Sequence, residues 1–398
     1  MNTNSITPFE FEEPGYRLWG GKGYRLFIPT TVHEERLAKV ETASSANEAV
    51  PSHAPATPSK SSGEEEPDFS HKWRHQREVG QQPLYLDTDL RRTWDRLNGT
   101  SPDREIAKRD RHLVNTLLRV GPWRSGLLKD DVERSLEDLT HEMAHFRGPI
   151  EDLRDAATLA LRSGRPLVAP PLLLLGPPGI GKTHFTRMIA ESMGLPTFRL
   201  SLDASNGPSA LSGSSRYWSN TRTGLVFHAL AQGKHMSPVI LLDELDKAPR
   251  DDRLDPLRSL HGLLEPVTAR TFEDESFPLP IDARYIVWIA TANDIDRVEP
   301  SLLSRFVIHR IEEPDQDQRF RTARTLFQQL FADMGPAVEL DVAKTAIEKV
   351  AQANPRQQRV LVRRAVARAL RAHRECLQPE DVPETETSAA PRRVGFLR

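Results

Sequence analysis

This sequence predicts an α/β fold built on a parallel sheet of five strands and followed by a small helical domain; three observations support it. A four-leucine run, Leu172 to Leu175, leads into the loop Gly176-Pro177-Pro178-Gly179-Ile180-Gly181-Lys182-Thr183 and then into helix-like residues from His184 onward. Between about 167 and 311, short apolar runs alternate with helical patterns, the signature of parallel strands joined by crossover helices. Beyond Asp315 apolar residues recur three or four apart, which makes that region helical.

The expected strands are 171–175, 197–202, 239–242, 285–290 and 306–311. Ahead of them, Gly-Tyr-Arg-Leu occurs at 15–18 and again at 23–26 around a glycine pair, which predicts a small hairpin within 1–40. Residues 41–69 are rich in Ser, Ala, Pro and Glu with little to bury, and read as a disordered linker. Helical spacing marks 70–165, with Val132, Leu136, Leu139 and Met143 on one face of an expected helix over 129–146. The α/β domain then occupies 166–312 and the helical domain 313–377. The Pro/Glu/Thr-rich tail, 378–398, is expected to be disordered.

The 398 residues are 28% charged and 38% hydrophobic, within the range of globular proteins. No apolar stretch reaches the length of a membrane span, and the first thirteen residues carry Glu10, Glu12 and Glu13 where a signal peptide would be basic. A cytoplasmic location is therefore expected. The single cysteine, Cys376, excludes an internal disulfide and any cysteine cage for a metal. A net charge of −2 gives the chain no global attraction to nucleic acid or anionic lipid.

The chemistry is concentrated in four places. Glycines at 176, 179 and 181 let successive backbone N–H groups point at phosphates, with Pro177, Pro178, Ile180 and His184 completing the loop. Lys182 supplies a cation for the terminal phosphates and Thr183 a hydroxyl for Mg²⁺. About sixty residues on, Val239-Ile240-Leu241-Leu242 ends in Asp243-Glu244, placing one acid to hold Mg²⁺ and the next to polarise an attacking water. The strand before Asn293 ends on the same sheet edge, so that Asn293 can orient the water.

These motifs, in this order, resemble the AAA+ ATPase superfamily, and within it the ATPase module of the Lon family, over about 172–370. The linking segments are also similar: Leu245-Asp246-Lys247 after the acids, Leu263-Leu264-Glu265-Pro266, and Phe272-Glu273-Asp274. The resemblance implies that Asn293 is the first sensor and Arg305, in Leu302-Leu303-Ser304-Arg305-Phe306, an arginine finger serving the next subunit. It implies a second sensor arginine at Arg359, with Arg356, Arg363 and Arg364 as neighbours that leave the assignment open by one helical turn. In Gly213-Ser214-Ser215-Arg216-Tyr217-Trp218, Trp218 aligns with the aromatic that grips an extended polypeptide in a ring's pore, and Tyr217 is placed to share that role.

A ring homo-oligomer, taken as a hexamer, with ATP and Mg²⁺ and a protein substrate is the implied working form. Lon proteases continue into a peptidase domain; about twenty residues follow Gln378, so the reading is a Lon-like motor without its own peptidase, working with a separate protease or adaptor. The alternative is a nucleic-acid remodeller using the arginines between 359 and 374 on phosphates. His141-Glu142-Met143-Ala144-His145 fits a zinc-protease motif but has no third ligand in a following helix, and reads as ordinary helix packing.

Overall fold

A computed structural model describes residues 67–69, 78–98, 104–202, 209–216, 221–249, 257–335 and 340–384, and the backbone of 16–19 and 26–29. The chain divides into two compact units, Met1–Glu65 and Glu66–Arg398. In the first, β1 (Tyr16–Trp19) pairs antiparallel with β2 (Leu26–Pro29), Tyr16 opposite Pro29 and Trp19 opposite Leu26. The expected linker lies outside the described residues except for Pro67 to Phe69.

The second unit opens with β3 (Gln81–Pro83), α1 (Asp87–Asn98), α2 (Arg104–Val120) and β4 (Trp123–Ser125), where β3 and β4 pair antiparallel. Helices α3 (Val132–Glu142) and α4 (Arg147–Ser163) follow. The central sheet contains β5 (Leu172–Leu175), β6 (Thr197–Ser201), β7 (Val239–Asp243), β8 (Val287–Ala292) and β9 (Val307–Arg310), with α5 (Lys182–Met193) crossing from β5 to β6. All its pairings are parallel and the order is β6-β7-β8-β5-β9, so the first sheet strand in sequence lies inside the sheet.

The three inner strands are buried along their whole length, which explains why they read as unbroken apolar runs. Their side chains still alternate between two cores. Leu172, Leu174, Val239, Leu241, Val287 and Ile289 face a core shared with Leu136, Leu139, Leu153 and Phe185, from α3, α4 and α5, and with Phe146 just ahead of α4. Leu173, Leu175, Ile240, Leu242, Trp288 and Ala290 face the other, shared with Leu90, Trp94, Val114 and Leu117 of α1 and α2, and with Phe227 and Phe277. The helical residues before 165 thus cover both faces of the sheet. The boundary expected at 165/166 is not a break in packing, because the apolar faces of these helices have no other core to enter.

The other strands of the sheet lie within one residue of their expected bounds, but two elements differ by more. Strand β8 is displaced two residues, from 285–290 to Val287–Ala292, because its extent is set by its neighbours: Val287 pairs with Val239 and Ala292 with Leu175. The helix expected over 129–146 stops at Glu142; Met143 leaves helical geometry (φ −120°, ψ 56°) and Ala144–Phe146 form a 3₁₀ turn. His141 and His145 therefore do not share one helix, as a zinc-protease motif requires.

The helical domain contains α6 (Gln316–Met334), β10 (Asp341–Val342), α7 (Lys344–Ala351), α8 (Pro355–Arg371) and β11 (Cys376–Leu377). Helix α6 begins with a capping box: the Gln318 N–H donates to Asp315 Oδ1 at 2.7 Å, and the Asp315 N–H donates to Gln318 Oε1 at 3.1 Å. Its core joins Phe327, Val350, Leu361 and Ala365 to Leu377 and Val382. Residues 379–382 therefore belong to this domain rather than to a disordered tail: apolar Val382 completes its core, and a 3₁₀ turn at Pro379–Asp381 brings it there. Residues 385–398 lie outside the described residues. Among the described residues no helix is long and apolar enough to cross a membrane.

Candidate nucleotide site

The C-terminal edge of a parallel sheet is where the chain turns into helices, and β5, β7 and β8 deliver the candidate residues there side by side. The loop after β5 requires its glycines for stated reasons. A Cβ on Gly176 would lie 2.5 Å from the carbonyl oxygen of Ile311, and Gly181 has φ +104°, which L side chains rarely adopt. Helix α5 starts directly after Gly181, so its free N–H groups and positive dipole end face the loop's concavity.

The predicted residues meet across long sequence separations. The Lys182 ammonium donates to the carbonyls of Gly176 (2.6 Å) and Pro177 (3.0 Å) and to Asn293 Oδ1 (2.9 Å). Burial lowers its pKa; the nearby Asp246, Asp243 and Glu244 carboxylates act the opposite way. Thr183 Oγ1 lies 3.3 and 3.2 Å from the two oxygens of buried Asp243. Glu244 follows with φ 61°, a left-handed conformation uncommon outside glycine, and turns its carboxylate toward Lys247, whose Nζ donates to Oε1 at 2.7 Å.

One cavity of about 830 Å³ joins these groups to the helical domain. Pro178, Gly179, Gly181, Lys182, Thr183, His184, Asp243, Glu244 and Asn293 line one side, and Arg356 and Arg359 line it from the start of α8. Of the arginines left open as second sensor, these two reach the cavity; Arg363 and Arg364 are not among its lining residues. Ile180 is buried beneath the loop, and burial lowers the pKa of His184, helped by the cationic Arg187 and Arg359. Arg305 lies outside this cavity: its Nε is 3.2 Å from Glu265 Oε1 and its Nη1 donates to the Ser301 carbonyl at 2.5 Å. Tyr217 and Trp218 lie outside the described residues.

Several groups at the site were not singled out from sequence. Thr291 Oγ1 donates to Asp243 Oδ1 at 2.6 Å and accepts from the Glu244 N–H at 3.0 Å, so one hydroxyl fixes both acids. Asp246 Oδ2 accepts from the Asn293 N–H at 3.2 Å, and Arg199 pairs with Asp243 at 2.7 Å. The Thr291-Ala292-Asn293 strand end was the available signal for Thr291. Pairings that span 44 to 48 residues leave no local pattern. The His141 to His145 segment also belongs here: Met143 and Phe146 pack beneath Gly181, and His145 Nε2 lies 3.3 Å from the Ile180 carbonyl.

The donor set around Thr183 and Asp243 is all oxygen and beside a phosphate loop, which suits Mg²⁺, an ion held by one or two carboxylates together with phosphates and water. The surplus of cations on the cavity wall suits a polyanion.

Residues 172–313 match the ATPase family associated with various cellular activities (AAA). Lon protease 2 of Bdellovibrio bacteriovorus is 32% identical over 234 residues, 58% of this chain and 28% of that protein. The peroxisomal Lon protease homolog 2 of Caenorhabditis elegans is 42% identical over 137 residues, 34% of this chain and 18% of that protein. Among solved structures, the Thermotoga maritima RuvB Holliday junction branch migration motor is 15% identical with a TM-score of 0.41, covering 58% of this chain and 65% of that one. The chain thus spans about a fifth to a third of the length of the curated relatives it matches. Its residues 172–313 are a domain of the AAA family of ATPases, similar over that region to the Lon proteases.

Proposed function

We propose that this chain hydrolyses ATP with Mg²⁺ at the cavity between the phosphate loop and α8, and uses the energy, as a ring of like subunits in the cytoplasm, to remodel or thread proteins. The observation that carries the reading is that one cavity is lined at once by Lys182, Thr183, Asp243, Glu244, Asn293 and the Arg356/Arg359 pair. Lys182 holds the terminal phosphates, while the loop N–H groups and the start of α5 hold the others. Thr183 and Asp243 would hold Mg²⁺, which would offset the negative charge of the phosphates. Glu244 accepts a proton from the attacking water, and Asn293, positioned by Asp246 and already touching Lys182, orients that water against the terminal phosphate. Arg356 and Arg359 bring the helical domain onto the nucleotide. Arg305, held outside its own chain's cavity, serves a neighbour's. The named relatives are proteases, which favours protein over nucleic acid as the substrate.

The test is phosphate release by the full chain with and without an unfolded protein such as casein, and with duplex DNA. Turnover stimulated by casein supports the proposal; stimulation by DNA alone, falling steeply with salt, would replace it with a nucleic-acid motor. Glu244→Gln should keep nucleotide and lose about 10²–10⁴ in turnover, the usual weight of a positioned general base. Lys182→Ala should lose nucleotide binding itself, read by a fluorescent ATP analogue. Wild-type turnover in either variant would remove the hydrolytic assignment.

A further inference from the structure

Strand β6 is the edge strand beside β7, and its register sets Arg199 opposite Leu241 and Ser201 opposite Asp243. Arg199 is therefore a diagonal neighbour of Asp243 on the same face of the sheet, within reach of a long side chain. Its guanidinium uses that reach: Nε and Nη2 lie 2.9 and 2.7 Å from one oxygen, Asp243 Oδ2. The Thr183 hydroxyl lies 3.2 Å from the same oxygen and 3.3 Å from Oδ1, with one proton to share between them, while Thr291 donates to Oδ1 at 2.6 Å. Both oxygens of a carboxylate only 6% exposed thus have donors within the chain, and the cation among those donors is Arg199. The Arg199 side chain itself is 59% exposed and lines the nucleotide cavity, so it can leave without opening either core.

We infer that Arg199 is a resident counter-cation for Asp243 that a divalent ion must displace, so that Arg199 sets the Mg²⁺ concentration at which nucleotide is retained. This rests on the reading of the cavity as an Mg²⁺-nucleotide site. The physical basis is competition: a guanidinium and a divalent cation both take charge from the same carboxylate oxygen, and that oxygen faces the Thr183 hydroxyl that would share the metal. Without a cation, buried Asp243 would keep only hydroxyl donors, a poor exchange for lost water. After displacement the guanidinium remains on the cavity wall, among the groups that suit phosphate.

The experiment is a Mg²⁺ titration of the binding of a fluorescent ATP analogue to the full chain, starting from chelator, with wild type, Arg199→Gln and Arg199→Lys. Arg199→Gln should lower the half-saturating Mg²⁺ about five- to tenfold, up to about 1.4 kcal/mol. Arg199→Lys, which keeps charge but not the two-donor geometry, should fall between. Coincident curves, or a Gln variant that needs more Mg²⁺, would overturn the inference; the second result would make Arg199 a phosphate ligand instead. If Arg199→Gln gives no cooperative melt, the Lys variant decides alone, and an unchanged midpoint overturns the inference. Failure of wild type to bind the analogue at any Mg²⁺ concentration would instead strike the nucleotide-site reading.

Discussion

Arg305→Ala is expected to bind ATP like the wild type and to hydrolyse it about 10³–10⁵-fold more slowly, the range measured when an arginine that neutralises phosphoryl-transfer charge is lost. The structure supplies the reason to separate binding from turnover. Arg305 follows the short helix Pro300–Leu303, and its guanidinium is engaged by Glu265 and the Ser301 carbonyl rather than by anything in its own cavity. On the proposed function, an arginine so placed acts at the nucleotide site of a second copy. Mixing gives the decisive measurement. In a ring assembled from Arg305→Ala and Lys182→Ala subunits, some intact nucleotide sites lie beside an intact arginine, so part of the turnover should return although neither variant is active alone. Arg305→Lys should not rescue, because a point ammonium cannot reproduce a planar guanidinium. Full activity of Arg305→Ala, loss of nucleotide binding without any further defect, or mixtures no better than their parts would each remove the assignment.

The second large effect concerns stability. Arg124→Leu should destabilise the second unit by about 3–5 kcal/mol, the cost of stranding several buried carbonyl acceptors that one guanidinium satisfies. Arg124 is 1% exposed on β4 and is held by carbonyls: Leu230 at 2.8 Å, Ala231 at 2.6 Å, Gly121 at 2.8 Å and Trp123 at 3.0 Å. Leu230 and Ala231 end the helix Leu225–Ala231, so the guanidinium lies at the negative end of a helix dipole. Burial lowers its pKa, yet an arginine stays protonated, and its five donors in one plane match several carbonyls as no other side chain does. Leucine would fill the volume and strand those acceptors, each at about 1–3 kcal/mol. The reading is a thermal melt, with a drop of about 10 °C on the scale of about 2–4 °C per kcal/mol for a domain of this order of size. A shift worth less than about 0.5 kcal/mol would show that the carbonyls find water or rearranged partners. Because β4 lies before the helix that precedes β7, the same variant tests whether residues ahead of 165 are part of the ATPase body.

Much of the site was legible because its signals are local. Gly176 to Thr183 is one turn of chain whose residues must be adjacent, and Asp243-Glu244 and Asn293 end strands recognisable from their own apolar runs. The capping box at Asp315 and Gln318 is local in the same sense. Less was legible where a residue's meaning depends on a distant partner. His141, Glu142 and His145 fit a zinc-protease pattern, while Met143 gives the segment the look of an ordinary core helix face, which is how it reads in sequence. The helix instead ends at Glu142, and the segment turns under Gly181, because its apolar side chains are buried against the phosphate loop and Phe185. Likewise, the amphipathic spacing of α1 to α4 shows that each has a face to bury, without showing that those faces cover opposite sides of the sheet.

By itself, then, the sequence determined the α/β class, the parallel strands, the phosphate loop and the acids that follow it, since each depends on side-chain periodicity or on residues in immediate succession. Tertiary structure alone decided that Lys182 meets Asn293 across 111 residues, that Thr291 fixes both Asp243 and Glu244, and that Arg199 pairs with the Asp243 carboxylate. Those contacts follow from the strand order β6-β7-β8-β5-β9, which inserts β5 beside strands far from it in the chain. Strand order is a property of how the sheet buries both faces, and no window of residues short enough to read contains it.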